Sequence, residues 1–282
     1  MDNVGRVKGA LRRLGTSARK GLGQNFLVDE AILEKILEAA HLSGEDVVIE
    51  VGPGTGILTQ ALAERCGLVI AVELDDVLAS ALEQSMAARS NVRVVHGDIM
   101  RLEAWREAPE GRDYKVVANL PYYIASATLT RFLEFPRKPE LMVAMMQKEV
   151  AEEIVAGPGK LRFLSVLIQF YSRPEIIAEV PPSSFYPPPK VGSAILRLTP
   201  HTAPAVTVED PEEFLRFVAA GFRQPRKQLS NSLSHGLGIP AAEVSKQLRA
   251  SGIDQHRRAE TLTIQEWAAL FQEFHTKVST AK

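Results

Sequence analysis

The sequence has very little cysteine and no long hydrophobic run. Cys66 is the single cysteine in 282 residues, which excludes an internal disulfide framework and any metal site built from several cysteines. Such a chain suits a reducing compartment, and we expect the cytoplasm. The longest uninterrupted apolar stretch, Leu141 to Met146, has six residues. That is far short of the ~20 residues that a membrane-spanning helix needs.

A strong bias in composition is also absent. Hydrophobic residues make up 45% of the chain and charged residues 24%. This balance is typical of a soluble globular protein and excludes a disordered or collagen-like chain. The length is about twice that of a typical domain, so we expect one large domain or a large domain with a small partner.

The net charge is only −1, but the charges are unevenly distributed. Residues 1–20 carry six basic side chains and one acidic, residues 21–200 carry 17 and 24, and residues 201–282 carry 10 and 9. An acidic body with a basic N-terminal arm indicates a protein that approaches a polyanion with part of its surface. A frayed terminus and an organelle transit peptide stay open for the arm. A secretory signal is excluded because the arm has no apolar central region.

Strand and helix patterns alternate as far as residue 156. Short apolar runs that predict strands are separated by segments with apolar residues at helical spacing. The predicted strands are residues 47–51, 68–72, 92–95, 115–118 and 142–146, and the predicted helices are residues 29–40, 58–65, 76–88, 126–133 and 148–156. This alternation predicts βαβ units and a parallel sheet that is covered by helices on both faces.

The pattern changes after Pro174. Residues 175–180 and 194–198 resemble strands joined by a proline-rich turn, which predicts an antiparallel pair at the sheet edge. Beyond residue 200 only helices are predicted, at residues 211–222, 241–250 and 264–274. We therefore predict an α/β fold in three parts. These are a basic arm at residues 1–20, a sheet domain at residues 21–200 and a small all-helical domain at residues 201–282.

A glycine-rich loop, Gly52-Pro53-Gly54-Thr55-Gly56, follows the first predicted strand. Glycines there permit a tight turn and let a ligand approach the backbone at a helix N-terminus. The G-x-G-x-G spacing differs from the G-x-G-x-x-G of dinucleotide-binding proteins, which argues against a nicotinamide cofactor. A glycine-rich turn with no ligand stays open at this point.

Acidic residues end the next two predicted strands. Glu73 lies where a carboxylate can accept hydrogen bonds from both hydroxyls of a ribose. Asp98 lies where a side-chain oxygen could meet an adenine amino group, although the same residue type also caps helices. Because carboxyl ends of parallel strands form the ligand-binding edge of such sheets, these features predict a nucleoside ligand. S-adenosylmethionine fits, since it has an adenine, a ribose and a sulfonium cation that an acidic body tolerates.

The most specific motif, Asn119-Leu120-Pro121-Tyr122, ends the fourth predicted strand. The lone pair of an exocyclic base amine is delocalised into the ring, so methylation requires acceptors for both of its N–H groups. The Asn119 side-chain oxygen and the Leu120 carbonyl would supply them, with Pro121 fixing the backbone. Tyr122 offers a stacking face for a base withdrawn from its helix. Core tyrosines after an ordinary turn are the alternative.

A second aromatic residue is a candidate for stacking on the same base. Phe185 lies in a proline-rich segment, and the flanking prolines are expected to project its ring from the loop. It would then stack on the face of the base opposite Tyr122. A phenylalanine in the core is the alternative.

The ordered set of motifs resembles the ribosomal RNA adenine N6-dimethyltransferase family, and its small-subunit branch in particular. The resemblance covers about residues 20–274 and rests on Gly23–Leu27, Val51–Gly56, Glu73–Asp75, Asn119–Tyr122, Gln147–Val150 and Val180–Val191. It implies a class I, Rossmann-like S-adenosylmethionine-dependent methyltransferase sheet followed by a small all-helical C-terminal domain. It also implies dimethylation of two adjacent adenines in the terminal hairpin of small-subunit rRNA.

The resemblance and the strand-end argument together give the predicted site residues. The predicted donor-binding set is Gln24, Asn25, Leu27, Gly52, Gly54, Glu73, Leu74, Asp98, Ile99 and Asn119. The predicted catalytic set is Asn119, Leu120, Pro121, Tyr122 and Phe185. We expect S-adenosyl-L-methionine as the cofactor, no metal, and small-subunit rRNA within a pre-ribosomal small subunit as the partner. We also expect no membrane partner and a monomeric chain.

Two basic clusters in the helical domain are predicted to bind RNA phosphates. Arg223, Arg226 and Lys227 form one cluster and Arg257 with Arg258 the other, and both resemble signatures of the small-subunit enzymes. A solvated helix face is the alternative for each cluster. Two other functions stay open: a large-subunit rRNA or DNA adenine methyltransferase, and a non-catalytic RNA-binding assembly factor.

Overall fold

The computed structural model describes residues 3–280, with the backbone alone at residue 20 and at residues 276–280. Residues 1, 2, 281 and 282, at the outer ends of the predicted arm and helical domain, lie outside the described residues. The chain divides into two compact units. One unit comprises Met1–Ala151 and Pro174–Pro200, and the other comprises Glu152–Arg173 and His201–Lys282.

The first unit is built on a mostly parallel sheet. The strands of the chain are β1 Phe26–Leu27, β2 Val47–Val51, β3 Leu68–Glu73, β4 Val92–His96, β5 Lys115–Asn119, β6 Leu141–Gln147, β7 Ser172–Val180, β8 Phe185–Tyr186 and β9 Ser193–Pro200. Seven of them form a sheet in the order β4-β3-β2-β5-β6-β9-β7, in which the first five are parallel and β9 runs antiparallel to β6. The remaining two, β1 and β8, form an antiparallel pair. The predicted α/β class is confirmed.

Helices connect these strands and continue beyond them. They are α1 Asn3–Arg13, α2 Glu30–Ala39, α3 Ile57–Ala63, α4 Asp76–Met86, α5 Ala125–Glu134, α6 Lys148–Ile154, α7 Phe163–Tyr171, α8 Pro211–Phe222, α9 Leu229–Leu237, α10 Ala241–Ala250 and α11 Ile264–Thr280. Within the described residues, no helix combines the length and the apolar character needed to cross a membrane.

Local sequence explains why α2 forms where it does. Asp29 caps its N-terminus by accepting hydrogen bonds from the backbone N–H groups of Ala31 and Ile32, at 3.0 and 3.3 Å. Ile32 and Ile36 lie one turn apart and are both buried in a core cluster with the sheet residues Val48 and Val117. This apolar stripe fixes the helix against one face of the sheet.

The basic arm contains a helix, which the sequence analysis did not predict. Val7 and Leu11 are buried one turn apart in α1 and pack in a cluster with Phe26 and Leu78. An isolated helix of this length is marginal in water, so this apolar contact is what stabilises it. The exposed residues of the helix include all of its basic side chains.

The second unit is helical and includes a segment that lies before the predicted domain boundary at residue 200. Glu152–Arg173, which contains α7, belongs to this unit. The Phe170 ring lies 5.1 Å from the Phe214 ring, centroid to centroid. Trp267 is fully buried nearby in α11, and its ring contacts Phe217. The mostly apolar α7 supplies part of this core, which is why its contacts place it here rather than with the sheet.

Helices α8 and α9 approach each other closely at Gly236. A methyl group added at this glycine would lie 2.5 Å from the backbone oxygen of Ala220 and 2.7 Å from its Cβ. We expect Gly236→Ala to lower the free energy of unfolding by about 1–3 kcal/mol, because a backbone neighbour cannot move aside as a side chain can. Urea denaturation measures the change.

The matched control for this prediction is Gly157→Ala in the same unit. An added methyl at Gly157 has no atom within 4 Å, so we expect little change in stability. Equal stability of the two variants would contradict the close packing of α8 on α9.

Candidate functional site

One cleft opens at the carboxyl ends of β2, β3 and β5. All ten predicted donor-binding residues line it, as do four of the five predicted catalytic residues. Glu73, Asp98 and Asn119, predicted from the ends of their strands, lie there together with the residues predicted from the resemblance. Among the described residues, no group of three His, Cys, Asp or Glu side chains is placed to hold a metal ion.

The glycine-rich loop after β2 requires its glycines. Gly52, Gly54 and Gly56 have φ angles of 69°, 57° and 83°, the left-handed region that L-residues rarely adopt. A methyl group on Gly54 would also lie 2.9 Å from the Phe26 ring. The G-x-G-x-G spacing is therefore a backbone requirement of this turn, whose glycine N–H groups donate to Val72, Glu73 and Pro53.

Glu73 is held by the backbone on both of its oxygens. Its Oε2 accepts a hydrogen bond from the Gly54 N–H at 3.0 Å, and its Oε1 accepts one from the Asp75 N–H at 2.9 Å. Burial raises the pKa of this carboxyl above its ordinary value, and the two backbone N–H groups oppose that shift. Each oxygen keeps a second lone pair, so the carboxylate can still accept two hydroxyl donors.

Asp75 links the N-terminal segment to this carboxylate. It is buried, caps α4 through its Oδ1, and accepts at Oδ2 from the Gln24 side chain at 3.3 Å. The Arg19 guanidinium lies 3.1 Å from the same oxygen. No role for Arg19 or Asp75 was predicted from the sequence, because contact between positions so far apart leaves no local signal.

Glu50 is an acidic side chain inside a strand whose five residues are all buried. Its Oε2 has no hydrogen-bond partner among the described residues, and Glu50 also lines the cleft. Burial, aided by the nearby Glu73, raises the pKa of Glu50 to about 8. The sequence analysis missed it, although a charged residue within the apolar run VVIEV was a detectable signal.

Asp98 lines the cleft and also caps a turn. Capping was the alternative to a ligand-binding position for this residue, and the structure allows both. Its Oδ1 accepts a hydrogen bond from the Met100 N–H at 2.9 Å. Its Oδ2 lies 3.5 Å from the Arg101 side chain, a pair formed on the exposed surface. The capping bond fixes the direction of the carboxylate.

Asn119 is oriented by a hydrogen bond to Asn25, the residue before strand β1. Its Nδ2 donates to the backbone carbonyl of Asn25 at 3.0 Å. Only the NH₂ group can face a carbonyl, so the amide oxygen of Asn119 is turned elsewhere, and it has no donor partner among the described residues. The Leu120 N–H donates to the Met145 carbonyl at 3.0 Å, which holds this turn against β6. Within the described chain, no backbone hydrogen bond to the Leu120 carbonyl occurs.

Two tyrosines follow in the same motif and differ in exposure. The Tyr122 hydroxyl lies 2.7 Å from the Ser193 hydroxyl, which fixes the half-buried ring. Burial raises the pKa of Tyr122. Tyr123 also lines the cleft and is 58% exposed. The alternative of core tyrosines therefore does not describe Tyr123.

Phe185 does not line the cleft. It is 4% exposed and packs in the core cluster that contains Leu27 and Val180. Its backbone pairs with Leu27 in the β1–β8 ladder, and this pairing turns the ring inward. The expectation that the flanking prolines project this ring from the loop is wrong.

The two basic clusters of the second unit differ in how freely they reach solvent. Arg223, Arg226 and Lys227 are exposed, and no carboxylate pairs with them among the described residues. Arg257 instead forms a two-point ion pair with Glu266 and donates to the Thr261 carbonyl. Its RNA-binding role is therefore not supported by its position, because its guanidinium is already held within the fold.

Comparisons of sequence place the chain among ribosomal RNA methyltransferases. The family model described as ribosomal RNA adenine dimethylase matches residues 15–276. A relative named ribosomal RNA small subunit methyltransferase A, from Dehalococcoides mccartyi, is 47% identical over 90% of this chain and 87% of its own. A relative with the same name from Moorella thermoacetica is 44% identical over 96% of this chain and 98% of its own.

Solved structures with the same fold include a dimethyladenosine transferase and an rRNA methyltransferase. A dimethyladenosine transferase from Plasmodium falciparum superposes with a TM-score of 0.77 at 25% identity, covering 90% of this chain and 98% of its own. The 23S rRNA methyltransferase ErmE superposes with a TM-score of 0.70 at 29% identity, covering 89% of this chain and 100% of its own. Both support the class I methyltransferase fold.

We expect Gly54→Ala to weaken binding of S-adenosylmethionine roughly tenfold or more, because a strained φ costs about 1–3 kcal/mol and the new methyl group meets the Phe26 ring. Isothermal titration calorimetry without RNA measures the affinity. Gly44→Ala is the control, since its added methyl has no atom within 4 Å and its φ is not positive. An unchanged affinity in Gly54→Ala would show that the loop's backbone does not form the donor site.

The raised pKa of Glu50, about 8, predicts a pH-dependent penalty on stability. The unfolded carboxyl ionises near its ordinary pKa, whereas the folded one stays protonated, so stability is lost as pH rises toward 8. Glu50→Gln should therefore stabilise the protein progressively from pH 5 to pH 8, by at most about 1.4 kcal/mol per pH unit.

Urea denaturation at pH 5, 6.5 and 8 measures this difference. Glu45→Gln serves as the control, because the Glu45 side chain is 97% exposed. A stability difference between Glu50→Gln and the unmodified protein that stays constant with pH would contradict the shifted ionisation.

Proposed function

The chain belongs to the ribosomal RNA adenine dimethylase family, and on that premise we propose how its cleft performs the reaction. The proposed activity is S-adenosylmethionine-dependent N6-dimethylation of two adjacent adenines in the terminal hairpin of small-subunit rRNA. The observation that carries this proposal is the orientation of Asn119, whose amide oxygen is left for a substrate because its NH₂ group is bound by Asn25.

The chemistry of the cleft fits the methyl donor. Glu73 keeps two free lone pairs for the ribose hydroxyls, and the positive-φ glycines let the ligand approach the loop backbone. Glu50 adds a buried polar oxygen without a partner among the described residues to the lining of this cleft. When bound, the donor supplies an electrophilic methyl group on a sulfonium sulfur.

The residues after β5 act on the acceptor amine. The Asn119 amide oxygen and the Leu120 carbonyl each accept one N–H of the adenine amino group, which concentrates the nitrogen lone pair toward the methyl group. Pro121 fixes the turn that carries both acceptors. The hydroxyl contact of Tyr122 with Ser193 holds the tyrosine ring in place as a stacking surface for the flipped base.

No strong general base is required for this step. The amine nitrogen would bond to the methyl group as the sulfonium–methyl bond breaks and the sulfur leaves as a neutral thioether, and the nitrogen would lose a proton to solvent only afterwards. The cleft accordingly needs hydrogen-bond acceptors for the adenine amino group rather than a catalytic base. Two additions to one nitrogen also require that a monomethylated amine fits in the same pocket.

Sequence identity favours the small-subunit substrate over the large-subunit alternative. Relatives named for the small subunit are 44–47% identical, whereas the structural neighbour named for 23S rRNA is 29% identical. The oriented Asn119 and the buried Glu73 favour an active enzyme over a non-catalytic assembly factor. A pre-ribosomal small subunit in the cytoplasm is the proposed partner, and the enzyme is proposed to act as a monomer.

Phosphate contacts are proposed for the exposed cations of the second unit. Arg223, Arg226 and Lys227 lie in one loop after α8, exposed and without carboxylate partners among the described residues. Arg258 is 54% exposed and lies 3.9 Å from Glu260, so it remains a weaker candidate. Arg257 is not included.

The test of the proposed function is methyl transfer to defined ribosomal subunits. The protein is incubated with labelled S-adenosylmethionine and with unmethylated small or large subunits, and the modified bases are then mapped. We expect two adjacent dimethylated adenines in the small-subunit hairpin. Modification of a large-subunit adenine would support the alternative substrate, and no modification of either would favour the assembly factor.

We expect Asn119→Ala to abolish methyl transfer and leave RNA binding nearly unchanged, because it removes one of two acceptors for the amine. Single-turnover rates and filter binding with small subunits measure the two effects. Asn231→Ala in α9, outside the cleft residues, is the control for the loss of an asparagine. Preserved turnover in Asn119→Ala would show that the amine is polarised elsewhere.

A further inference from the structure

Helix α1 carries four exposed cations and no acidic residue. Arg6, Lys8, Arg12 and Arg13 are all exposed. Among the described residues, no carboxylate lies within ion-pair distance of any of them. Several cations elsewhere in the same unit form ion pairs, as Arg65 does with Glu34 and Arg89 with Glu64.

The apolar side of α1 packs against residues that line the cleft. Val7 and Leu11 pack in the cluster that contains Phe26 and Leu78. Phe26 and Leu78 also line the cleft, so α1 packs directly against residues of the cleft wall. Burial of two aliphatic side chains stabilises this packing.

The far end of the N-terminal segment is also anchored. Arg19 pairs with the buried Asp75 at 3.1 Å, and its N–H donates to the Gln24 side chain at 2.8 Å. Lys8 lies 4.9 Å from the centre of the Tyr186 ring, so one of the four cations is itself held against the protein. These contacts fix the position of the cations relative to the cleft.

We propose that α1 is a phosphate-binding surface that holds the backbone of the substrate RNA beside the adenine being methylated. This inference rests on the proposed function. Residues 21–200 carry 17 basic and 24 acidic side chains, so a polyanion near the cleft is repelled by much of the unit and attracted to α1. The distribution of charge thus favours an RNA backbone that lies next to α1, at the edge of the cleft.

An anionic membrane is the other polyanion that basic amphipathic helices bind, and the packing of α1 argues against it. Membrane-surface helices insert an apolar face into the lipid. The apolar residues of α1, Val7 and Leu11, are 1% and 5% exposed and already covered by the protein. Only the charged side of this helix remains for a partner.

The test compares two variants with the same loss of charge. The first carries Arg6→Gln, Lys8→Gln, Arg12→Gln and Arg13→Gln, and the control carries Arg65→Gln, Arg89→Gln, Arg106→Gln and Arg112→Gln, which remove cations that pair with acidic side chains. Affinity for a stem-loop RNA with two adjacent adenines is measured against salt concentration. The α1 variant should lower the log–log slope by about 3, and the control should leave it nearly unchanged.

Kinetics with unmethylated small subunits give a second readout. We expect the α1 variant to raise the KM for the subunit at least roughly tenfold, with kcat and the affinity for S-adenosylmethionine within about twofold. A third variant, Arg6→Lys, Arg12→Lys and Arg13→Lys, keeps the charge and should keep the salt slope. Its behaviour separates loss of charge from loss of fold.

Several outcomes would overturn the inference. Equal salt slopes for the α1 and control variants would do so, as would cosedimentation of the unmodified protein with anionic phosphatidylserine vesicles that the α1 variant abolishes. Failure of the proposed function is distinguishable, because the unmodified protein would then methylate neither ribosomal subunit. An unmodified protein that methylates small subunits while both variants bind RNA alike contradicts only the role of α1.

Discussion

The hydrogen bond from the Gly54 N–H to the Glu73 carboxylate joins the glycine loop to the end of the neighbouring strand. Parallel pairing of β2 with β3 brings the two strand ends together, but the bond also requires a backbone that turns through positive φ. Gly54 meets that requirement, and Phe26 fills the space that a side chain would occupy. The shape of the donor cleft thus depends on one buried carboxylate and on the absence of a Cβ.

Strand β1 and the residue before it contact both the glycine loop, on the proposed donor side of the cleft, and Asn119, on the proposed acceptor side. The Asn25 carbonyl, just before it, binds the Asn119 amide group, and Phe26 packs on the glycine loop. A two-residue strand is held weakly by its own ladder, so its position depends on α1 and on the contacts of Asp75. The N-terminal segment therefore contributes to orienting Asn119, the proposed hydrogen-bond acceptor for the amine.

The sequence predicted the parts of the site that follow from where strands end. Glu73, Asp98 and Asn119 each terminate or follow a parallel strand, so an alternating pattern was enough to bring them together. Residues whose position depends on long-range packing were not predictable in this way. The prolines around Phe185 mark a turn correctly, yet the pairing of β8 with β1 decides that this ring points inward. Likewise, a basic pair in sequence does not reveal that Arg257 is held by Glu266.

The balance of charge explains how a chain with a net charge of −1 can serve a polyanionic substrate. A uniformly basic protein would bind RNA strongly in many orientations, because phosphate contacts carry no sequence information. Here many cations of the sheet unit are paired with acidic neighbours such as Glu34 and Glu64. Attraction is confined to a few unpaired cations, while acidic surface disfavours other placements. The RNA is therefore oriented over the cleft by repulsion from acidic surface as much as by contact with unpaired cations.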